Sequence, residues 1–234
     1  MATHLPVHDA VHVISDIHMG GAPGFQILRE TSRLAGYINR LATERPGQAV
    51  ALVLNGDVFD TLAEDLGPEY VATRQAERII TGIMDYPQFK PIWDALAAFA
   101  GTDNRTLVFV IGNHDIEISF PVVQRLLVRR LAGDDLAARA RIEFSTTGAG
   151  YTCMVGGARV YCTHGNEFDA WNYNRYEDLA RVGRRLNCDQ PFDPKDWRPN
   201  AGTKMVKEVM NDVKKRYHWI DLLKPETSAA LGTL

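Results

Sequence analysis

The chain has 234 residues, of which 45% are hydrophobic and 24% are charged. This balance is typical of a globular protein with a sizeable core, and it excludes a disordered chain and a fibrous repeat. The formal net charge of -3 gives no overall basic field, so nucleic-acid binding driven by charge is not indicated.

The sequence contains no membrane or secretion signal. No run approaches the roughly 18 consecutive apolar residues that a transmembrane helix requires. The start of the chain, residues 1–10, mixes histidines with Pro6 and lacks the apolar stretch of a signal peptide. We therefore expect a cytoplasmic protein without a membrane span.

The first half of the chain alternates short strands with helices. Three apolar runs predict buried strands at residues 11–14, 49–54 and 107–111, the first of them buried on both faces. Apolar residues at helical spacing predict helices at residues 27–41, 69–84 and 91–100. Polar residues follow each strand, so we expect a site at the carboxyl ends of the strands, where open α/β sheets build their sites.

The second half begins with a hairpin and ends in helices. The runs at residues 151–155 and 158–163 are joined by Gly156-Gly157, which is a turn signal. Residues 176–186 and 203–217 have the pattern of amphipathic helices, and prolines interrupt regular structure between them.

Polar side chains come directly after four of the predicted strands. They are Asp16 and His18, then Asp57 and Asp60, then Asn113, His114 and Asp115, and finally His164. Any one of these groups alone would indicate a turn, and Asp60 and Asp115 also suit helix N-caps. The informative feature is the order of all four groups, each at the end of a strand.

These motifs resemble those of the calcineurin-like metallophosphoesterase family. The chain reads D-I-H at residues 16–18, G-D-V-F-D at 56–60, G-N-H-D at 112–115 and T-H-G at 163–165. The family's last motif, G-H-x-H, does not occur in the sequence. The resemblance implies a four-layer α/β/β/α sandwich of two mixed sheets flanked by helices, with residues 1–165 as the core and residues 166–234 as a helical cap or insertion.

The resemblance also implies a site for two divalent metal ions. Asp57 would bridge the ions, Asp16 and His18 would complete the shell of the first, and Asn113 and His164 that of the second. Two such ions about 3.5–4 Å apart activate a bridging hydroxide and stabilise an in-line displacement at phosphorus. Carboxylate, amide and imidazole donors suit manganese, our first expectation, and also iron, zinc or nickel, better than calcium.

Three further residues have implied roles in catalysis. His114 would protonate the leaving oxygen or stabilise charge on the phosphate, as an imidazole that titrates near neutral pH can. Asp60 and Asp115 would accept hydrogen bonds that orient imidazoles or waters.

The expected function is hydrolysis of a phosphomonoester or phosphodiester, with a small molecule or a nucleotide as substrate. The alternative is a catalytically incomplete protein that keeps the fold as a binding or scaffold module. A nuclease is a third possibility that the acidic net charge disfavours. The sequence does not indicate an oligomeric state.

Three explanations compete for the absent G-H-x-H motif. The natural sequence continues beyond Leu234 and supplies two more histidines, or water, His218 or a partner chain fills the sites, or catalysis has been lost. We expect the first, since a metal ion with too few protein ligands is held weakly.

The aromatic and amide-rich stretch after His164, residues 166–176, has two interpretations. It lines a cleft that stacks a nucleobase or covers an acyl or sugar group, or it is the packed start of a helical insertion. Arginines in and after it either bind phosphate or form a solvated helix face; they are Arg175, Arg181, Arg184 and Arg185.

Overall fold

The structure is a computed structural model that describes residues 5–67, 69–191, 193 and 196–217. His218, one of the groups considered for the absent ligands, lies outside these residues. The described strands are β1 (Val7–His8), β2 (Ala10–Ile14), β3 (Val50–Asn55), β4 (Arg105–Val110), β5 (Ile142–Ser145), β6 (Tyr151–Val155) and β7 (Ala158–Cys162).

The described helices lie between the strands and after β7. They are α1 (Thr31–Thr43), α2 (Ala76–Asp85), α3 (Lys90–Gly101), α4 (Pro121–Ala132), α5 (Leu136–Ala140), α6 (Tyr176–Asn187), α7 (Ala201–Met205) and α8 (Asn211–Arg216). A turn of π-helix, Val206–Met210, joins α7 to α8. None of these helices combines the length and the apolar character needed to cross a membrane.

The strands form two sheets. The order in the four-stranded sheet is β2-β3-β4-β5, and every neighbouring pair is parallel. The three-stranded sheet, β1-β6-β7, is mixed, because β1 is parallel to β6 and β6 is antiparallel to β7. The first sheet is thus all-parallel where a mixed sheet was expected, since helices connect each of its strands to the next.

The two sheets pack face to face, and helices cover the other face of the four-stranded sheet. Val53 and Val108 contact the cluster that includes Tyr151 and Cys153 of the three-stranded sheet. Residues of the opposite face, such as Leu52, lie in the larger core together with α1 and α3. Successive strand residues point to opposite faces, so the central strands are buried on both. The predicted α/β fold of two sheets flanked by helices is confirmed.

Helix α1 begins at Thr31 rather than near residue 27, and strand β2 and helix α2 also differ from their sequence-based predictions. Strand β2 is not buried on both faces: it is an edge strand, and Val13 is 48% exposed because the described part of the three-stranded sheet does not cover it. Helix α2 begins at Ala76 rather than near residue 69. The N–H of Ala72 donates to the carboxylate of Glu117 at 2.7 Å, which holds this part of the chain outside the helix.

Candidate metal centre

Four loops bring the predicted site residues to one place. The loops after β2, β3 and β4 meet because parallel strands deliver their carboxyl ends to the same edge of a sheet. The loop after β7 comes from the other sheet and carries His164. A side-chain hydrogen bond joins the sheets here: Asn55 Nδ2, at the end of β3, donates to the carbonyl of Thr163 at 2.9 Å.

Asp57 lies at the centre of the site. Its buried carboxylate has one oxygen, Oδ1, that accepts the backbone N–H of His114 at 2.9 Å. The other oxygen, Oδ2, lies 3.3 Å from Nε2 of His164 and 3.6 Å from Nε2 of His18. Burial opposes its charge, but the hydrogen bond to His164 and the neighbouring His114 and His18 hold the pKa of Asp57 below its usual range. The geometry is that of a carboxylate able to contact two cations.

Asp57 belongs to two groups of donor atoms. In the first group, single donor atoms of Asp16, His18 and Asp57 lie within 4.8 Å of one another. In the second group, Nε2 of His164 lies 3.3 Å from Oδ2 of Asp57 and 3.3 Å from Oδ1 of Asn113. Both groups include Asp57, as a bridging carboxylate requires.

The donor atoms of the second group suit a bound cation. Nδ1 of His164 lies 2.9 Å from the carbonyl oxygen of Asn55, so Nδ1 must carry the hydrogen. In the neutral imidazole, Nε2 then presents a lone pair toward oxygens of Asp57 and Asn113. A bound cation removes the repulsion between these acceptor atoms, and a proton on Nε2 does so as well. Burial lowers the pKa of His164, but the hydrogen bond and charge of Asp57 raise it to about 9.

Three of the residues expected to bind metal have a left-handed backbone. The φ angles of Asp16, His18 and Asp57 are 55°, 49° and 52°. This conformation costs an L-residue about 1–2 kcal/mol. Backbone strain of this kind concentrates at functional sites, where the surrounding structure enforces it. Nothing in the local sequence predicts it for Asp16 or His18.

The site loops approach one another too closely to accept side chains at Gly56 and Gly112. A Cβ atom on Gly56 (φ +86°) would lie 2.4 Å from Cγ of His164. A Cβ atom on Gly112 would lie 2.0 Å from Oδ1 of Asp57. The glycines of two motifs therefore make room for the side chains of the site.

A family model of calcineurin-like phosphoesterases matches residues 10–223, which include all four loops. The chain belongs to this family. Comparison with curated proteins and with solved structures gives no significant match. Membership of the calcineurin-like phosphoesterases makes the chain a metal-dependent phosphoester hydrolase by class, and its Asp and His groups are of the kind that a dinuclear metal centre uses.

In this calcineurin-like phosphoesterase, Asp60 and His114 form a hydrogen-bonded pair. Nδ1 of His114 lies 3.0 Å from Oδ1 of the buried Asp60. Burial lowers the pKa of His114, but the charge and hydrogen bond of Asp60 raise it to about 9. The carboxylate of Asp60 makes no capping hydrogen bond to the helical turn that follows, so the N-cap interpretation does not hold.

His18 lies beside this pair, in surroundings that favour the neutral imidazole. Burial and the neighbouring His114 lower the pKa of His18. The two rings meet edge to face, with their centroids 4.8 Å apart. A metal ion binds the neutral form of histidine, so this environment favours the form that a ligand needs.

Asp115 accepts hydrogen bonds from two of the site loops. It is fully buried, and its two oxygens accept the backbone N–H groups of Gly112 at 2.8 Å and Val58 at 2.7 Å. It therefore joins the loops after β3 and β4. It also does not cap the helical turn that it precedes.

The stretch after His164 is partly buried and partly exposed. Asn166 and Asn174 are buried, whereas Phe168, Trp171 and Tyr173 are exposed. The structure thus shows a packed backbone that presents aromatic rings to solvent.

Two of the four arginines considered for phosphate binding have other partners. Arg181 lies 3.4 Å from the carboxylate of Asp178, and Arg185 pairs with Asp196. Arg175 and Arg184 are exposed.

Sequence reasoning missed the supporting residues of the site. Asn55, Glu167 and Asn174 hold its loops through hydrogen bonds to backbone groups. Asn55 stands directly before the G-D motif and could have been noticed there. Glu167 and Asn174 carry no signal beyond the density of polar residues after His164.

Proposed function

We propose that the protein hydrolyses phosphomonoesters or phosphodiesters of small molecules or nucleotides with two divalent metal ions, manganese first among them. The residues that would hold the ions are Asp16, His18, Asp57, Asn113 and His164. Bound ions would supply the Lewis acidity that activates water and stabilises negative charge on the phosphate.

The observation that carries this proposal is the position of Asp57. One oxygen of a buried carboxylate lies 3.6 Å from an imidazole nitrogen of His18 and 3.3 Å from one of His164. Its other oxygen is fixed by the backbone N–H of His114. The carboxylate is therefore anchored through one oxygen and has its other oxygen beside two sets of donors, as a bridging ligand requires.

His114 is the proposed proton donor. Its raised pKa, near 9, keeps the imidazole protonated at neutral pH, and Asp60 occupies Nδ1. Nε2 is then the nitrogen left to give a proton to the leaving oxygen. An acid of this kind contributes about 100- to 10,000-fold to the rate of a hydrolysis.

A second candidate function is a binding module without catalysis. The side chain of Asp16 is 59% exposed, so the first group of donors is open to solvent. An open, weakly bound first ion would leave the fold intact and the chemistry slow.

The test combines metal content with turnover. Elemental analysis of the purified chain is paired with manganese-dependent hydrolysis of mono-nitrophenyl and bis-nitrophenyl phosphate, for the wild type and for Asp57→Ala and His114→Ala. We expect Asp57→Ala to lose metal and turnover together, and His114→Ala to keep its metal and lose turnover. Asp134→Ala, on the surface, is the control and should match the wild type.

Each result decides one part of the proposal. Hydrolysis by Asp57→Ala at the wild-type rate would exclude the two-metal mechanism. Unchanged turnover in His114→Ala would remove the proton-donor role alone. A wild-type chain that stays inactive with excess manganese would favour the binding module.

A further inference from the structure

Glu167 holds the backbone on both sides of His164. One carboxylate oxygen, Oε2, accepts the hydroxyl of Thr163 at 2.9 Å and the N–H of Gly165 at 3.1 Å. The other oxygen, Oε1, accepts the hydroxyl of Tyr176 at 2.9 Å. The turn that carries His164 is thereby tied to the first residue of α6.

Asn174 reaches the loop that carries Asn113. Its side chain is fully buried, and Nδ2 donates to the carbonyl oxygen of Gly112 at 2.8 Å. Gly112 directly precedes Asn113. The bond therefore fixes the backbone next to the residue whose side-chain amide is a proposed metal ligand. Burial of an amide side chain costs free energy unless its polar atoms form hydrogen bonds, so the bond to Gly112 offsets part of the cost of burying Asn174.

Both contacts come from one short stretch, which we call the post-histidine segment (residues 165–176). It supports Asn113, which follows a strand of the four-stranded sheet, and His164, which follows a strand of the three-stranded sheet. Nε2 of His164 and Oδ1 of Asn113 lie 3.3 Å apart, so their meeting depends on how the two loops are held across the sheets.

We infer that the post-histidine segment positions the second group of metal donors, with Glu167 and Asn174 as its positioning residues. This inference rests on the proposed two-metal function. The hydrogen bonds of Glu167 and Asn174 involve neither Asp16 nor His18. Loss of these bonds therefore weakens the ion at His164 and Asn113 and spares the ion at Asp16 and His18.

The experiment uses Glu167→Gln, which removes the charge that accepts three donors, and Asn174→Asp, which turns the buried donor into an acceptor facing a carbonyl. Matched controls are Glu177→Gln and Asn187→Asp, the same changes at exposed positions of α6. Cobalt is titrated into each metal-free protein and followed by its absorption spectrum, and His164→Ala identifies the binding step that belongs to the second group.

We expect two binding steps in the wild type and in both controls. In Glu167→Gln and Asn174→Asp, the step that His164→Ala abolishes should weaken by about 10- to 100-fold, the usual effect of losing a group that supports a metal ligand. The other step should weaken much less, because these hydrogen bonds reach neither Asp16 nor His18. Binding at that step also shows that the variant is folded.

Two results would overturn the inference. One is that both variants bind both ions as the wild type does, and the other is that both steps weaken equally. A wild-type chain that binds no cobalt would refute the proposed function instead. In that case, NMR of the imidazole nitrogens in the metal-free chain tests the positioning role. In both variants the His164 resonances should shift and the His18 resonances should stay. Unchanged His164 resonances would exclude the positioning role.

Discussion

Nδ1 of His114 lies 3.0 Å from Oδ1 of Asp60, and the two residues stabilise each other's charge. Burial alone would raise the pKa of Asp60, but the charge of His114 and its hydrogen bond lower it. The pKa of His114 is raised in turn to about 9. At neutral pH the pair is an imidazolium next to a carboxylate, which turns an ordinary histidine into an acid that keeps its proton.

Replacement of Asp60 by Asn should move the alkaline limb of the pH–rate profile to lower pH. The amide oxygen can still accept from Nδ1, but the negative charge is gone, and one adjacent charge is worth about one to three pKa units. Because the acid form of His114 is present below its pKa, turnover in Asp60→Asn should fall at a lower pH than in the wild type. The measurement is kcat against pH, with the surface variant Asp94→Asn as control. An alkaline limb that does not move would show that it belongs to another group.

The fold was predictable where strands are long and apolar. Strands β3 and β4 are buried on both faces, and their predicted ends differ from those in the structure by one or two residues. Strand β1 has only two residues, and β5 mixes apolar with polar positions, so neither has a distinct pattern. Helix α4 was missed although Pro121 begins it and Val123, Leu126 and Leu127 are buried at helical spacing.

The candidate site was predictable as a set of motifs but not as a set of contacts. The order of the motifs indicates which residues meet, since each follows a strand. The position of Asp115 between two backbone N–H groups depends on Val58, 57 residues away in the sequence. Contacts of this kind arise from the packing of loops, and no local pattern encodes them.

Replacement of Asp115 by Asn should destabilise the protein. The carboxylate accepts one N–H with each oxygen, whereas Asn has a single acceptor and would turn its own N–H groups toward Gly112 or Val58. A buried unsatisfied donor costs about 1–3 kcal/mol of the free energy of unfolding. Urea unfolding of the metal-free chain measures this. Asp134→Asn, on the surface, should change it by no more than about 0.5 kcal/mol. Equal effects of the two substitutions would contradict the assigned role of Asp115.

Replacement of Gly56 by Ala should displace His164 and lower activity. The added Cβ would lie 2.4 Å from the imidazole, so either the ring or the loop must move. A misplacement of about 1 Å in a catalytic site costs about 100-fold in rate. Hydrolysis of bis-nitrophenyl phosphate and metal content are the measurements.

The control for Gly56→Ala separates the clash from backbone strain. Gly24 has nearly the same backbone angle, φ +89°, and a Cβ there meets nothing within 4 Å. Gly24→Ala should therefore lose some stability and keep its metal and its turnover. If Gly24→Ala lost metal to the same degree, strain and not contact with His164 would explain the effect.

Glu117 is a second buried acid, and its contacts require a proton. Oγ1 of Thr61 lies 2.8 Å from the carbonyl oxygen of His114 and 2.8 Å from Oε2 of Glu117. The hydroxyl has one hydrogen for two acceptors, so both contacts are satisfied only if Glu117 is protonated and donates to Thr61. Burial raises the pKa of Glu117 to about 7, in agreement with this assignment.

Replacement of Glu117 by Gln should remove a pH dependence of stability. Because the pKa of Glu117 rises from 4.5 to about 7 on folding, the folded chain binds the proton more tightly than the unfolded chain. The contribution is complete below pH 4.5 and is lost as the pH rises to about 7, which amounts to about 3 kcal/mol. Gln imitates the neutral acid at every pH, since its amide N–H donates to Thr61 and its oxygen accepts from Ala72.

Urea unfolding at several pH values should therefore show the wild type losing stability relative to Glu117→Gln between pH 4.5 and about 7. The exposed variant Glu30→Gln should run parallel to the wild type. A Glu117→Gln curve that also runs parallel to the wild type would mean that Glu117 is ionised in the folded protein, and that the Thr61 hydroxyl shares its one hydrogen between two acceptors.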